Sequence, residues 1–209
     1  MKTRACVLHA QEDVRIEERE VGEVGPRQVL VRIGAGGVCG SDIHYFWEGG
    51  IGTIRVTEPI ILGHEVAGTV EAVGDQVTRV RPGDRVAVCP SQPCGKCKFC
   101  LGGDPQHCLE MQFLGSAMRK PHTNGGFRDL MVASESQCEP VGDKVTVGEA
   151  ACTEPLAVGV HAVNQAGNLF GKRVLVTGAG PIGALLIGAV RVAGAREIVA
   201  MDISDAPLK

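Results

Sequence analysis

Apolar and polar positions change period along this chain. Through residue 88 the apolar runs are short and strand-like. CVLH (6–9), DVRIEE (13–18) and QVLVRIGAGG (28–37) alternate or run β-branched, with Val24-Gly25-Pro26 as turn punctuation. GVCGSDIHYFWEGG (37–50) reads as a turn opening a short helix, with Ser41 or Asp42 as its N-cap. ILGHEVAGTVEAVG (61–74) and RPGDRVAV (81–88) add a small-residue strand, a turn and a further strand. From residue 89 to 127 periodicity almost vanishes, which in a compact domain implies a functional or pinned segment. Beyond residue 150 the pattern turns helical. EPLAVGVHAVNQAG (154–167) is a small-residue helix with Pro155 in its first turn. Residues 172–204 read strand, glycine turn, helix, strand, one βαβ unit with near-continuous apolar strands of a parallel sheet. The fold expected is α/β: a β-rich domain over 1–152, then the first part of a nucleotide-binding domain over 153–209. A parallel sheet normally needs more than two strands, so the chain reads as the N-terminal part of a longer protein.

Cysteine spacing changes that picture most. Cys94, Cys97, Cys100 and Cys108 form a C-x2-C-x2-C-x7-C run in a glycine-rich lobe, residues 89–109. Four thiolates on such a loop suit a closed tetrahedral zinc shell. The alternatives are an iron–sulfur cluster, whose usual runs use other gaps, and four unrelated thiols. A closed shell leaves no position for substrate, so this zinc is structural. Cys39, His64, Glu65 and Glu154 are a second, scattered set of ligand types. Each sits among glycines or at an element end, as a three-ligand open zinc site would require. From spacing alone that reading and plain core residues stand level. Cys6, Cys89, Cys138 and Cys152 read as core thiols, and His9 and His161 as structural.

The glycine turn is Gly178-Ala179-Gly180-Pro181-Ile182-Gly183, between a strand at 173–177 and a helix at 181–193. Asp202 ends the next strand roughly 20 residues on, where a carboxylate meets an adenosine ribose. Gly180 lets the backbone approach a pyrophosphate at the helix N-terminus. The carboxylate favours NAD, with NADP as the alternative. Net charge −3 argues against a nucleic-acid or polybasic membrane surface, and no apolar run reaches membrane-span length. Nine cysteines, largely on metal spacing, fit a reducing cytoplasm.

GHEVAGTVEAVG, PGDRVAV, the four-cysteine lobe, CGSDIH and VLVTGAGPIG together resemble the zinc-dependent medium-chain dehydrogenase/reductase superfamily. EPLAVGVHA points to its polyol dehydrogenase branch, since the classical alcohol dehydrogenases carry cysteine where Glu154 stands. HYFWEG, FLGSAM and PHTNGGF are most similar to the members that oxidise L-idonate to 5-keto-D-gluconate, with sorbitol and xylitol dehydrogenases as neighbours. The resemblance implies a GroES-like catalytic domain followed by the start of a Rossmann domain. It implies two zinc ions per chain and Cys39 and His64 as catalytic ligands, with Glu65 or Glu154 as the third. It further implies a Ser41-to-His44 proton relay, Tyr45 and Glu154 on the substrate side, and a dimer or tetramer. A sugar-acid carboxylate needs a cation, and Arg119, Lys120 and His122 are the candidates. An L-threonine dehydrogenase and a non-enzymatic zinc protein are the rival readings. A protein ending at Lys209 is expected to bind structural zinc, hold NAD poorly and turn over little.

Overall fold

A computed structural model describes residues 1–208, in two compact units, Met1–Cys152 and the part from Thr153 onward. The first unit is built on antiparallel strands. β1 (Lys2–Ala10) and β2 (Asp13–Glu20) form a hairpin, extended through β1 by β4 (Ile60–Ile61). The main sheet contains β3 (Gln28–Gly37), β5 (Glu65–Val73), β6 (Arg85–Val88), β7 (Leu130–Ser134) and β8 (Cys138–Pro140). Their order is β7-β3-β5-β6-β8, all antiparallel.

Valine dominates the centre of this sheet. Val29, Val31, Val66, Val70 and Val86 are at most 2% exposed, packed with Met131 and Cys138 on one face. Branching at Cβ leaves valine little rotamer freedom to lose on a pleated surface, so its burial is gained at low entropic cost. The other face is lined by Ala67 and Ala87, which meet Ala150 and Ala151 around helix α3 (Val147–Ala151). Small side chains let that helix lie close. With both faces covered, Val29-Leu30-Val31 are all buried and the strict two-residue alternation is lost. Burial pushes the Cys138 thiol up to about 12. Cys6 is half-buried, but Cys89 and Cys152 are exposed, contrary to a core reading. Cys89 follows the last residue of β6 and Cys152 caps the end of α3, positions where the chain leaves the packed layers.

Helix α1 (Gly40–Glu48) starts earlier than its polar residues suggest. Its N-cap is Cys39, and Asp42 at the third helical position reaches back to accept the Cys39 backbone N–H at 3.0 Å. Ser41 and Asp42 are therefore inside the helix. Gly49 closes it in a left-handed conformation, φ 65°, with its N–H on the Tyr45 carbonyl. The four-cysteine lobe holds one short α-helix, α2 (Lys98–Leu101), a 3-10 turn at Pro105–His107 and a two-residue strand at Ser91–Gln92.

The second unit comprises helix α4 (Thr153–Ala166), β9 (Arg173–Thr177), α5 (Pro181–Val192) and β10 (Glu197–Met201). β9 and β10 are parallel, in register from Arg173↔Glu197 to Thr177↔Met201. Leu169, Val190 and Ala195 form its small core, and His161 is exposed on α4. Among the described residues no helix is long and apolar enough to cross a membrane.

Met131 is 0% exposed at the centre of the valine layer. Met131→Ala should cost about 2–5 kcal/mol through lost burial and the cavity left behind, read as a lower urea midpoint at unchanged slope.

Candidate metal centres and dinucleotide turn

The antiparallel pairing of β3 with β5 sets Gly37 opposite Glu65, so the chain leaving β3 and the chain entering β5 lie at one end of the sheet. Cys39 follows the first strand and His64 precedes the second. Cys39 Sγ, a ring nitrogen of His64 and a carboxylate oxygen of Glu65 all lie within 4.8 Å of one another. Gly37 permits this. A Cβ at that position would fall 2.1 Å from Glu65 Oε2, so any side chain would displace the carboxylate.

Asp42 holds the cluster from behind. It is 3% exposed, and its two oxygens are divided between the two ligand segments. Oδ2 accepts the Cys39 N–H, while Oδ1 accepts the Gly63 N–H at 3.1 Å. Oδ1 also lies 3.9 Å from His64 Nδ1, too far for a hydrogen bond but close enough for charge attraction. Burial raises the Asp42 carboxyl above its usual range, opposed by His64 and by the two backbone donors. In the linear sequence Asp42 stands out only as a helix cap. The signal that marks its wider role is its position three residues after Cys39, the capping-box offset.

Ser41 and His44, the residues expected to form a relay, sit on the same helix. Ser41 is half-buried, and His44 is exposed with Nδ1 2.8 Å from Glu48 Oε1, an i,i+4 pair. Tyr45 is 3% exposed in a cluster with Leu8, Ile60 and Leu62, and its hydroxyl accepts the Ala117 N–H at 3.1 Å. Its side chain thus packs α1 down and already has one hydrogen-bond donor.

The four lobe sulfurs also lie within 4.8 Å of one another. Zinc with Zn–S of about 2.3 Å has tetrahedral edges of about 3.8 Å, so the cage fits the ion with slight contraction. Backbone N–H groups already point at the sulfurs. Cys94 N–H and Glu110 N–H reach Cys108 Sγ at 3.2 and 3.4 Å. The N–H groups of Cys100 and Leu109 bring the Cys97 thiol down to about 6, whereas burial and its sulfur neighbours push Cys100 up to about 12. Four sulfurs crowded together resist full ionisation, and a divalent cation removes that conflict.

Two residues brace the lobe. Gln137, 2% exposed, donates to the Cys89 carbonyl at 2.8 Å and accepts from Gln92 at 2.7 Å, fixing the lobe's entry. Arg119 donates to the carbonyls of Leu109 and Met111 and lies 3.4 Å from Glu110, fixing its exit. Arg119, expected to meet a substrate carboxylate, is therefore largely committed within the protein. His122 is 7% exposed. Its Nε2 accepts the Thr57 N–H at 3.0 Å and its Nδ1 donates to the Arg119 carbonyl, leaving neither nitrogen for a ligand. With Lys120, these residues line a cavity whose walls include none of Cys39, His64 and Glu65.

In the second unit the glycine turn joins β9 to α5, with Gly180 as N-cap and Pro181 and Ile182 opening the helix. Gly183 lets the helix close onto the turn, since a Cβ there would fall 1.9 Å from the Gly178 carbonyl oxygen. Nothing lies within 4 Å of a Cβ built on Gly178 or Gly180, so that side of the turn is open. Asp202 follows β10 and accepts N–H groups from Ala179 at 2.8 Å and Ser204 at 3.0 Å, which hold its carboxyl below the usual range. Glu154 stands in the first turn of α4.

The family model for the alcohol dehydrogenase GroES-like domain matches residues 25–143, and the chain belongs to that family. Its relatives include a sugar-acid dehydrogenase and polyol dehydrogenases. L-idonate 5-dehydrogenase (NAD(P)(+)) of Escherichia coli K12 is 42% identical over 208 residues, covering 100% of this chain and 60% of that protein. Sorbitol dehydrogenase of Macaca fascicularis is 39% identical over 203 residues, covering 97% and 56%. The crystal structure of the E. coli L-idonate 5-dehydrogenase superposes with a TM-score of 0.94, covering 100% of this chain and 59% of that one. The chain therefore spans 56–60% of the length of these curated relatives.

Asp42→Asn keeps one acceptor and loses the other, leaving a backbone N–H facing an amide NH2. This should cost about 1–3 kcal/mol, seen as a lower urea midpoint, and Asp42→Ala should cost more.

Proposed function

We propose that this chain supplies the zinc-binding and first dinucleotide-binding parts of an NAD(P)-dependent dehydrogenase that oxidises a secondary alcohol of a polyol or sugar acid. L-idonate, giving 5-keto-D-gluconate, is the first substrate to test. The observation that carries this reading is the open three-donor cluster of Cys39, His64 and Glu65, separate from a closed four-sulfur lobe. Three protein donors leave a coordination position for substrate, and four do not.

Cys39, His64 and Glu65 would hold the catalytic zinc, with Glu154 as an alternative third donor. Cys94, Cys97, Cys100 and Cys108 would hold the structural one. When bound, zinc supplies Lewis acidity toward the alcohol oxygen and the nicotinamide supplies the hydride acceptor. The chain's own residues manage position and protons. Asp42 orients both ligand segments through their backbone N–H groups. Ser41 accepts the alcohol proton by hydrogen bond, and His44, one turn on, passes it to water. His44 suits that step because it is exposed, with Nδ1 held 2.8 Å from Glu48 and its other ring nitrogen left for the proton. Asp202, held ionised beside the glycine turn, favours NAD, since it would repel a ribose 2′-phosphate. Tyr45 contributes to the substrate side through the packing of α1. The working protein would be a cytoplasmic homo-oligomer.

Initial rates of NAD and NADP reduction by the full-length chain with L-idonate, sorbitol, xylitol and L-threonine test the substrate. The highest kcat/KM should fall on L-idonate with NAD, and a clear preference for sorbitol or xylitol would overturn the sugar-acid assignment. Metal content tests the two centres. Two zinc ions per chain are expected, with Cys39→Ser removing one and abolishing turnover. A single zinc in the unmodified chain would instead support a zinc-binding protein without catalysis. In Asp42→Asn, zinc at the three-donor site should exchange into a chelator with affinity weakened about 10–100-fold while the lobe zinc is retained.

A further inference from the structure

The basic loop set aside by the catalytic cluster belongs to a cavity of its own. A groove of about 1080 Å³ runs beside the zinc lobe, lined by the cationic side chains of Lys96, Arg119, Lys120 and Arg128 against the single carboxylate of Glu110. This excess of positive charge occurs in a protein whose net charge is −3. Arg119 and Glu110 already face each other, so among the described groove residues the remaining positive charge has no carboxylate counterpart. Among the described residues no carboxylate pairs with Lys96, Lys120 or Arg128.

Arg128 is the unusual member. Its Nε is buried and has no hydrogen-bond partner among the described residues, the only buried side-chain polar atom there in that condition. Burial, unopposed by any neighbouring carboxylate, pulls its guanidinium down to about 10. Arg128 also borders two smaller cavities, one of about 470 Å³ with Asp129, which pairs with Arg4, and one of about 140 Å³ with Glu20, which lies 3.6 Å from the Met1 ammonium. A partly buried guanidinium without an anion is costly, and its planar fork matches the oxygens of an oxyanion. Around it the groove offers neutral donors, Thr123, Asn124, Ser134 and Ser136. Fixed charge flanked by hydroxyl and amide donors is the chemistry of an oxyanion site.

We propose that this groove binds a small multiply charged oxyanion of the phosphate class on Arg128, with Lys96 and Lys120 closing over it. The site is independent of the alcohol-oxidising cluster, none of whose donors line the groove. Binding ties the loop carrying Lys120 to the zinc lobe carrying Lys96, so the occupied form is the more rigid one.

Isothermal titration of the full-length chain with inorganic phosphate, in a phosphate-free buffer with chloride matching the ionic strength, tests this. One phosphate per chain is expected, its affinity reduced about tenfold or more in Arg128→Gln, less in Arg128→Lys and least in Lys120→Ala. Without phosphate, Arg128→Gln should melt no lower than the unmodified chain, because it removes an unpaired buried charge. At ten times Kd, phosphate should raise the melting temperature of the unmodified chain by about 4 °C and leave Arg128→Gln unmoved. Absence of phosphate binding, or equal binding by Arg128→Gln, would overturn the proposal. So would destabilisation of Arg128→Gln in phosphate-free buffer together with no phosphate binding, which would mean that a carboxylate of the protein itself occupies the guanidinium.

Discussion

Much of the first unit depends on one buried carboxylate bonded to two backbone N–H groups. Asp42 spans the start of α1 and the turn before β5, and it is the contact that sets the Cys39 segment against the His64 segment. Burying an anion is expensive, and the two donors together with His64 offset that expense only when all three converge. The interaction is therefore cooperative: neither segment can move without stranding the charge. The bulged β3–β5 pairing supplies the coarse approach and Asp42 the fine placement.

The two candidate zinc sites show how differently a fold can present the same element. In the lobe, four sulfurs from one short stretch converge under the direction of their own backbone, braced at entry by Gln137 and at exit by Arg119. In the open cluster the donors come from two segments, and their meeting depends on sheet register, on Gly37 and on Asp42. Local geometry builds a closed shell. Tertiary geometry builds a shell with a position to spare, which a reaction needs.

The basic loop shows where chemistry read from residue types goes astray. Arg119, Lys120 and His122 are adjacent cation formers, and a sugar-acid carboxylate is a natural partner for such a cluster. In the fold Arg119 is engaged by carbonyls, His122 by a backbone N–H and a carbonyl, and the cavity they line lies apart from the open metal donors. Arg128, which lines that cavity and whose buried Nε has no partner among the described residues, carried no sequence signal, because burial without a partner is a property of the folded chain alone.

Sequence by itself determined the features that local covalent spacing enforces. The strand and helix periods, the glycine turn before α5 and the C-x2-C-x2-C-x7-C lobe are short-range patterns, each imposed by backbone geometry over a few residues. Helix α1 marks the limit of that reading. Its true cap is Cys39, because Asp42 binds two N–H groups from inside the first turn instead of standing at the helix boundary. Only the tertiary structure decided that Cys39, His64 and Glu65 share one point, that Cys89 and Cys152 are exposed, and that Tyr45 is buried under α1. These depend on which strand pairs with which and in what register. Register is set by the summed burial of valines and alanines dispersed across the chain, and no single stretch encodes it.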